Sequence, residues 1–421
     1  MRLLWLSNLA PGPVRQALTG EKGSGLWMEH VLEDLPRVAD VQLMMVCPWE
    51  GEESGNLSSR WSYQTFRRQR PEELYDLQKQ MFRRILRDFQ PDVIHIWGTE
   101  FSHSLAMVLA AEELHMLDRV VIGIQGLCLC VGRHYLEGLP IRVQLRFTFR
   151  DFLRQDNLVQ QKTTFLRRGK NEVTALQKVS HVIGRTHWDR ACVRQIHSAA
   201  QYHFCNETLR KSFYEGCWSY ENCVRHRIFA SSCLYPIKGF HYALEAFAQI
   251  LKEYPDAVLA VPGANPQCRW RGLLRQDSYA RHLKEMMDLY SLEGHVEYLG
   301  SLSEEEMKAE YLKANAFIMP SSIENSSNSL GEAMLLGVPC AAADVGGTST
   351  LMQDGEGILY QGTAPYMLAD AVCRIFAMGA QAETMGAAAR AHARKTHDPE
   401  VNFYTLMKIY QQIAEQKGKS V

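Results

Sequence analysis

The chain has 421 residues, of which 46% are hydrophobic and 22% charged, a composition typical of a globular protein and unlike that of a disordered chain. With 46 Lys and Arg against 47 Asp and Glu, its formal charge is −1, which argues against a protein that binds nucleic acid through overall positive charge. The length predicts two or three domains.

The cysteines and the first residues bear on where the protein works. Eleven cysteines, an odd number without a CxxC pair, predict reduced thiols and no zinc site. Residues 1–8 hold one basic residue and an apolar run too short for a signal peptide, so we interpret them as a first strand. No apolar stretch approaches the roughly 18 residues of a membrane span. We therefore expect a cytoplasmic protein.

Short apolar runs alternate with helical patterns along the first half of the chain, which predicts βαβ units around a parallel sheet. The predicted strands are Leu3–Leu6, Val41–Val46, Val93–Trp97, Val120–Ile124 and His181–Gly184. The predicted helices are Trp27–Leu35, Leu74–Phe89, Leu105–Leu117, Glu172–Lys178 and one that begins after Thr186, where Thr186 and Asp189 fit a capping box.

The stretch Arg133–Lys170 interrupts this rhythm and is both basic and aromatic. It holds nine basic and three acidic residues, an excess of six, whereas the whole of residues 1–210 has a net charge of +4. The interleaved aromatic residues are Tyr135, Phe147, Phe149, Phe152 and Phe165. One interpretation is a solvated helix face that packs its aromatic side chains inward. The other is peripheral contact with an anionic membrane or an anionic lipid-linked acceptor.

A second series of strands and helices begins near Arg227. The predicted strands are Ile228–Ala230, Ala257–Val261, Val296–Leu299, Ala316–Met319 and Cys340–Ala343. The predicted helices are Phe240–Tyr254, Arg281–Leu292, Glu304–Ala314 and Ser329–Leu336, with helical patterns from Pro365 onward. The sequence thus predicts two doubly wound α/β domains that face a cleft, where ligands would bind beyond the carboxyl ends of the strands.

The predicted boundaries follow from these two series. We assign residues 1–205 to an N-terminal acceptor domain that includes the insertion 133–170, and residues 206–226 to a linker. Residues 227–395 form the predicted donor domain, and residues 396–421 a helix that crosses back to the first domain.

The segment 320–339 is the most informative for function. A strand ends at Met319, a polar loop follows, and a helix begins near Ser329, so the free N–H groups of its first turn suit a diphosphate. Glu332 in that turn could accept hydrogen bonds from two vicinal ribose hydroxyls, and Glu324 in the loop could face a sugar. Alternatively, Ser329 and Glu332 form only a capping box.

Residues 317–359 resemble the donor-binding signature of retaining glycosyltransferases of the GT-B fold, family 4, also described as glycosyl transferases group 1. In that family two glutamates separated by seven residues precede the elements Glu-Ala-Met, Gly-x-Pro and Gly-Gly. The matching residues, in order and spacing, are Glu324, Glu332-Ala333-Met334, Gly337-Val338-Pro339 and Gly346-Gly347. The resemblance implies that Glu324 contacts the transferred sugar and that Glu332 holds the ribose.

A second match lies upstream. Ser232 to Gly239 resembles the family's Arg-(five residues)-Lys-Gly element, in which the two cations neutralise the departing diphosphate. Lys238 is in register, whereas Ser232 stands in place of the arginine. The missing cation would have to come from elsewhere, and Arg227 is the nearest arginine in sequence.

Further donor-binding residues are implied by the same resemblance. Gly25, in Gly23-Ser24-Gly25, occupies the place of the family's glycine-rich loop. Gly263, in the turn after a predicted strand, and Ser329 and Leu330, at the start of the predicted helix, complete the predicted donor set.

The acceptor side matches more loosely. Glu100 and His103 follow the strand that resembles the family's third strand, and they could line an acceptor pocket or simply lie on a surface loop. Where many relatives carry a histidine beside the donor sugar, this chain has Gln125, which cannot act as a base near neutral pH.

The resemblance implies a retaining glycosyltransferase that uses a nucleotide-diphosphate sugar in polysaccharide or glycoconjugate biosynthesis. Glu324 and Lys238 would be its catalytic residues, with no metal and no cofactor. The acceptor would be a sugar, a lipid-linked molecule or another compound, and no nucleic acid partner is expected. The protein would be cytoplasmic, and peripheral at the inner face of the membrane if the stretch Arg133–Lys170 binds lipid.

Two other functions stay open at this point. A non-catalytic nucleotide-sugar-binding protein of the same fold is motivated by Ser232 and Gln125. A nicotinamide-dinucleotide enzyme is disfavoured, because no Gly-x-Gly-x-x-Gly follows the first strand.

Overall fold

The structure, a computed structural model, describes residues 1–21, 28–38, 40–68, 75–264 and 276–417. Its strands are β1 Arg2–Ser7, β2 Gln42–Pro48, β3 Ser54–Asn56, β4 Trp61–Phe66, β5 Val93–Trp97, β6 Val120–Gly123, β7 His181–Gly184, β8 Gln201–Phe204, β9 Arg227–Ala230, β10 Val258–Val261, β11 Val296–Tyr298, β12 Ala316–Met319, β13 Cys340–Asp344 and β14 Ile358–Gln361.

The helices cover the remaining regular structure of the described residues. They are α1 Gly12–Thr19, α2 Glu29–Asp34, α3 Asp76–Phe89, α4 Ser102–Glu113, α5 Cys128–His134, α6 Ile141–Gln144, α7 Phe149–Arg154, α8 Leu158–Lys178, α9 His187–Ile196, α10 Phe240–Glu253, α11 Ser278–Leu289, α12 Glu304–Lys313, α13 Asn328–Leu336, α14 Thr348–Leu351, α15 Pro365–Met378, α16 Ala382–Thr396 and α17 Pro399–Gln416. Short 3₁₀ turns lie at Leu35–Arg37, Leu117–Arg119, Lys211–Tyr214, Pro236–Lys238 and Gly379–Gln381.

Contacts divide the chain into two compact units. Unit 1 consists of Met1–Leu129, Leu166–Thr208 and Asp398–Val421, and unit 2 of Cys130–Phe165 and Leu209–His397. These bounds differ from the predicted domains, because most of the basic aromatic stretch belongs to unit 2. Its buried apolar side chains share the core of that unit, and they are Tyr135, Leu136, Leu139, Val143 and Leu158.

Unit 1 is built on a sheet with the strand order β3-β4-β2-β1-β5-β6-β7-β8. All neighbouring strands pair in parallel except β3 and β4, which are antiparallel. Five of the six residues of β1 are buried, as expected for a strand that is covered on both faces of a parallel sheet. Helix α17 packs into this core through Phe403, Leu406 and Tyr410.

Three strands of unit 1, namely β3, β4 and β8, were not predicted from the sequence. In β4, Ser62, Gln64 and Thr65 break up the apolar run, and β3 is only three residues long. These strands lie at the ends of the sheet order, where burial is lower and the hydrophobic signal is weaker.

Unit 2 is built on a parallel sheet with the order β11-β10-β9-β12-β13-β14. The chain starts at β9, builds outward through β10 and β11, and then returns to the other side of β9 with β12. The two strands at this reversal pair directly, with Phe229 opposite Phe317. Such a reversal is a topological switch point, where ligands bind in open α/β sheets.

The stretch that interrupts the predicted rhythm is helical. It contains α6 and α7 and most of α8, a helix that begins at Leu158 rather than at the predicted Glu172. The predicted capping box at Thr186 and Asp189 is confirmed at the start of α9. Among the described residues no helix combines the length and the apolarity needed to cross a bilayer.

Candidate functional site

The loops after β9 and β12 meet at the switch point of unit 2. The first loop carries Lys238 and the second carries Glu324, and the Lys238 ammonium donates a hydrogen bond to Glu324 Oε1. Ser321 Oγ donates to the same carboxylate oxygen at 2.9 Å. The Lys238 side chain is 36% exposed and that of Glu324 13% exposed, so this ion pair is partly open to solvent rather than in the core.

Two glycines of the matched motifs allow neighbouring backbone segments to approach each other closely around Glu324. Gly239 has φ 69°, and a Cβ there would lie 1.7 Å from the carbonyl oxygen of Pro320. Gly346 has φ 55°, and a Cβ there would lie 2.0 Å from the carbonyl oxygen of Glu324. Only glycine fits such positions without displacing backbone, so both motifs shape the loop that carries Glu324.

Helix α13 begins beside the same loop. Its N-cap is Ser327, whose hydroxyl accepts a hydrogen bond from the Leu330 N–H at 3.3 Å. The helix therefore starts at Asn328, one residue before the predicted Ser329, and the capping box of Ser329 with Glu332 is not formed. The N–H groups of the first turn have no acceptor within the helix, and the dipole makes this end attractive to an anion.

Glu332 is buried and held by Arg210, an arginine that was not among the predicted site residues. Arg210 donates from Nε to Oε1 and from Nη2 to Oε2, both at 2.7 Å, a bidentate ion pair. Burial raises the pKa of the Glu332 carboxyl, and the Arg210 guanidinium opposes that rise. Arg210 lies in the predicted linker, 122 positions from its partner, so no local motif marks it. The sequence could indicate only that Glu332, if buried, would need a cation as partner, and not which residue supplies it.

The remaining predicted donor residues of unit 2 lie in two adjacent loops. Ser232 is half-buried, and its hydroxyl accepts a hydrogen bond from the Leu234 N–H at 3.4 Å. Gly263 has φ 123° and exchanges backbone hydrogen bonds with Gly300 at 2.8 and 3.1 Å. The Cys233 thiol bonds the Pro262 carbonyl oxygen at 3.5 Å, so the loop of Ser232 lies beside the loop of Gly263.

Arg227 does not replace the missing arginine. It lies at the amino end of β9, opposite to the end that carries Ser232. Its guanidinium pairs with Glu297 and with Glu310, each at 2.7 Å. The arginine nearest in sequence is therefore not the second cation, because the strand separates it from the site and two carboxylates hold it. The predicted Gly25 lies outside the described residues.

In unit 1, Glu100 and His103 share one partner. Asn8 donates from Nδ2 to Glu100 Oε2 at 2.5 Å, and its Oδ1 lies 2.8 Å from His103 Nε2. Burial lowers the pKa of His103 to about 3 and raises that of Glu100. His103 is only 1% exposed, so it is a neutral buried histidine rather than a residue of a surface loop.

Gln125 lies in a pocket of unit 1 beside a charged pair. Glu207 accepts hydrogen bonds from the Gln125 side-chain amide and from Arg185 Nη1, each at 2.5 Å. The same pocket is lined by Trp97 of β5 and Phe403 of α17. The amide of Gln125 is thus oriented by Glu207 and Arg185.

Glu172 is a second buried carboxylate of unit 1 and was not among the predicted site residues. It accepts hydrogen bonds from Thr99 Oγ1 at 2.6 Å, from the Cys128 N–H at 2.9 Å and from the Leu129 N–H at 3.2 Å. Burial is the main reason that its pKa rises to about 7, and nearby Glu100 adds to the rise. Glu172 therefore satisfies the first N–H groups of α5 from a distant helix.

Over the described parts of the chain, no group of three or more His, Cys, Asp or Glu side chains is arranged to hold a metal ion.

Comparison with known proteins gives one family and several relatives. Residues 225–392 match the family described as Glycosyl transferases group 1. A D-inositol 3-phosphate glycosyltransferase of Corynebacterium urealyticum is 29% identical over 163 residues, which are 38% of this chain and 37% of that protein. The chain thus matches little more than a third of the length of that curated relative.

Two solved structures are similar over almost the whole chain. Sucrose-phosphate synthase from Thermosynechococcus elongatus gives a TM-score of 0.68 at 17% identity, covering 98% of this chain and 99% of the other. Anabaena HepE in complex with UDP-glucose gives 0.65 at 17% identity, with 99% of both chains covered. Residues 225–392 are thus similar to the glycosyl transferases group 1, and the likeness to solved structures shows that the chain has the GT-B fold.

Proposed function

We propose that the protein is a glycosyltransferase that uses a nucleotide-diphosphate sugar and retains the anomeric configuration. The observation that carries this proposal is the pairing of Lys238 with Glu324 at the switch point of unit 2, next to the first turn of α13. A diphosphate needs cationic and N–H donors, and a sugar needs a carboxylate acceptor for its hydroxyls. The three features offer these groups in one place.

Each residue has a proposed role. Lys238 has three N–H donors, of which one contacts Glu324, so others are available for the diphosphate. Glu324 accepts hydrogen bonds from the transferred sugar and orients it. Ser232 supplies a hydroxyl where the family has an arginine, so the diphosphate is neutralised by fewer fixed charges.

Arg210 is proposed to position Glu332 toward the ribose. An ionised carboxylate has about four lone-pair sites, and Arg210 occupies two of them. The other two remain for vicinal hydroxyls. Arg210 also opposes the rise in the pKa of this carboxyl that burial causes, and so favours the ionised form that accepts hydrogen bonds from ribose.

The proposed reaction needs no side-chain base. The bond between the anomeric carbon and the diphosphate oxygen breaks while the acceptor oxygen approaches the same face. The acceptor proton passes to the departing phosphate oxygen. This scheme suits a chain with Gln125 where many relatives have histidine, and catalysis then rests on position and on stabilisation of the departing charge. We also propose that no metal is required, so transfer should persist in EDTA.

The acceptor is proposed to bind in unit 1, near Gln125 and Glu100. Their amide and carboxyl groups can form hydrogen bonds with the hydroxyl groups of a sugar or a lipid-linked sugar. Polysaccharide or glycoconjugate synthesis is the corresponding context.

A donor screen tests the proposal. The full chain is heated with UDP-, GDP-, ADP- and dTDP-sugars, starting with UDP-glucose because HepE was crystallised with it. A bound donor raises the melting temperature, and the rise grows with the logarithm of the donor concentration divided by its Kd. The donor that binds is then incubated with candidate acceptors, and NMR of the product reports the anomer. An inverted product would overturn retention.

The same assay separates the second candidate, a non-catalytic nucleotide-sugar-binding protein, which Ser232 favours. That protein would show the thermal shift but neither transfer nor slow hydrolysis of the donor. Absence of any shift with all four nucleotides would remove both proposals.

A further inference from the structure

Unit 2 exposes a large apolar surface on α6, α7 and the turn between them. Six bulky apolar side chains in residues 141–153 are each between 54% and 69% exposed, and we call them the outer face. They are Ile141, Leu145, Phe147, Phe149, Phe152 and Leu153. Single exposed apolar residues are ordinary, whereas a contiguous set marks an interaction surface.

Only part of the aromatic content of this stretch packs inward. The rings of Tyr135 and Phe165 pack on each other at 5.1 Å and belong to the core of unit 2. The rings of Phe147 and Phe152 lie 6.3 Å apart on the outer face. The interpretation that all aromatic residues pack inward is therefore wrong for the residues of the outer face.

Buried polar contacts hold the outer face in place. Asp151 is fully buried, and its carboxylate accepts a hydrogen bond from Ser278 Oγ of α11 at 2.6 Å. It also closes a capping box with Thr148 at the start of α7. Arg146 reaches Glu285 of α11 at 2.8 Å. These bonds fix the surface to the unit that carries Lys238 and Glu324, so the apolar side chains are displayed from a defined scaffold.

The charges around the outer face divide into two groups. Arg146 and Arg150 point toward the unit and pair with acidic residues, Arg150 with Asp156 at 2.9 Å. Arg142 and Arg154 are exposed, and within the part of the chain that the structure describes neither has an ion pair. The one acidic residue in residues 141–155 is the buried Asp151. The surface presented to solvent is thus apolar and positive.

We propose that the outer face docks on an anionic lipid bilayer. Its six apolar side chains would enter the boundary between headgroups and acyl chains, and Arg142 and Arg154 would contact acidic headgroups. Charge complementarity favours this occupant over a second copy of the chain, because two copies would bring like charges together. The proposal does not depend on the sugar-transfer activity.

Vesicle co-sedimentation tests the proposal with the full chain. We expect binding to vesicles of 70% phosphatidylcholine and 30% phosphatidylserine, and little binding to pure phosphatidylcholine. Phe149→Asn with Phe152→Asn should reduce the bound fraction at least tenfold. Arg142→Gln with Arg154→Gln should weaken binding by roughly 20- to 30-fold, since each basic residue near an anionic surface contributes about fivefold.

Matched controls use exposed residues elsewhere on the chain. Leu289, which is 71% exposed at the end of α11, is changed to Asn, and the exposed Lys395 and Lys408 are changed together to Gln. Neither change should alter vesicle binding. All variants should keep the melting temperature of the wild type, because the substituted side chains are exposed.

Three results would overturn the proposal. The first is equal binding to neutral and anionic vesicles, and the second is wild-type binding by both outer-face variants. The third is a concentration-dependent dimer, without vesicles, that the Phe149→Asn and Phe152→Asn changes dissociate, since this would assign the face to a second copy.

Discussion

The carboxylates beside the two sheets differ in the groups that donate hydrogen bonds to them. In unit 2, Glu324 is paired with Lys238 and Glu332 with Arg210. In unit 1, the hydrogen bonds to Glu100 and Glu172 come from uncharged donors, which include the Asn8 amide and the Thr99 hydroxyl. Burial raises the pKa of Glu172 to about 7, whereas for Glu332 a cation opposes the effect of burial.

This contrast indicates different uses of a buried acid. A cation beside a carboxylate favours its charged form, and the cation brings N–H donors for an anionic ligand. Glu172, which only neutral donors hold, has a pKa of about 7 and organises the start of α5. The proposed diphosphate-binding site therefore belongs to unit 2, where cations accompany the carboxylates.

The largest expected effect is on transfer. Lys238→Ala removes the cation at the switch point, and loss of one such donor to a developing oxyanion costs about 10²- to 10³-fold in rate. Glu332→Ala should likewise abolish detectable transfer, because the ribose loses its acceptor. Initial rates with the donor found in the screen provide the measurement.

The matched control is Lys252→Ala, an exposed lysine near the end of α10. It should transfer sugar at the wild-type rate, and Lys238→Ala and Lys252→Ala should melt at similar temperatures. Full activity and undiminished donor binding in Lys238→Ala would mean that the loops of Lys238 and Glu324 take no part in the mechanism.

A second effect concerns the stability of unit 2. Arg210→Met leaves Glu332, which is 4% exposed, without its cation. Removing one partner of a buried pair costs about 3–5 kcal/mol, and we expect the low end, about 3 kcal/mol, because the Arg210 side chain is 30% exposed. Calorimetry should show a lower melting temperature for the transition of unit 2.

Two further variants test whether the cause is the orphaned acid. Arg210→Met with Glu332→Met should recover most of the stability but bind no donor. Arg374→Met, which breaks an exposed pair with Asp370 at 3.7 Å, should change stability by less than about 0.5 kcal/mol. If the double variant were as unstable as the single one, the ion pair would not be the reason.

A third and smaller effect separates two requirements for glycine, namely a positive φ and the lack of space for a Cβ atom. Gly346→Ala and Gly355→Ala both place alanine at positive φ, 55° and 87°, at a common cost of about 1–2 kcal/mol. Only Gly346 has backbone in the way, at 2.0 Å, while nothing lies within 4 Å of a Cβ at Gly355. Denaturation should show an additional loss of about 1–3 kcal/mol for Gly346→Ala.

The same pair of variants reports on Glu324. The methyl group that Gly346→Ala adds should displace the loop of Glu324 and so weaken donor binding, which isothermal titration measures. Gly355→Ala should bind donor like the wild type. Equal affinity in both would mean that the Gly-Gly motif serves the fold alone.

The parts of the site that could be predicted were local in sequence. The run from Glu324 to Gly347 is continuous, and its resemblance to the family's donor signature assigned its residues to one helix start and one loop. The carboxyl ends of the strands were also predicted as the place of the site, because alternating strands and helices indicate a parallel sheet. The strands with long apolar runs, such as β5, were predicted to the residue.

The parts that could not be predicted depend on distant partners. Arg210 and Glu332 are 122 positions apart, and Thr99 meets Glu172 across 73 positions. Residues 130–165 show a helical pattern in several short segments. Such a pattern does not indicate which of the two units these helices pack against. Pairing of buried charges and docking of short helices are decided by tertiary packing, which a single sequence does not display.

The smallest effect is a pH dependence that belongs to unit 1. The pKa of Glu172 is about 7 in the folded protein against 4.5 as the ordinary value. Between these values the folded protein binds more protons than the unfolded chain, so its stability falls as pH rises from about 4.5 to 7 and levels off above. The slope reaches at most about 1.4 kcal/mol per pH unit for one group.

Glu172→Gln keeps an oxygen for the N–H groups of Cys128 and Leu129 but carries no titrating proton. The difference between the stability profiles of wild type and variant should therefore slope downward over that window and be flat above pH 7. His103, whose pKa of about 3 acts in the opposite direction, is present in both proteins and cancels in this difference. Glu100 adds to the rise of the Glu172 pKa, so its own titration contributes to the difference with the same sign. Glu33→Gln, an exposed change in the same unit, should leave the profile unaltered. A flat difference profile for Glu172→Gln would mean that this carboxyl is ionised in the folded state, and the contrast between the two units would then rest on Glu100 alone.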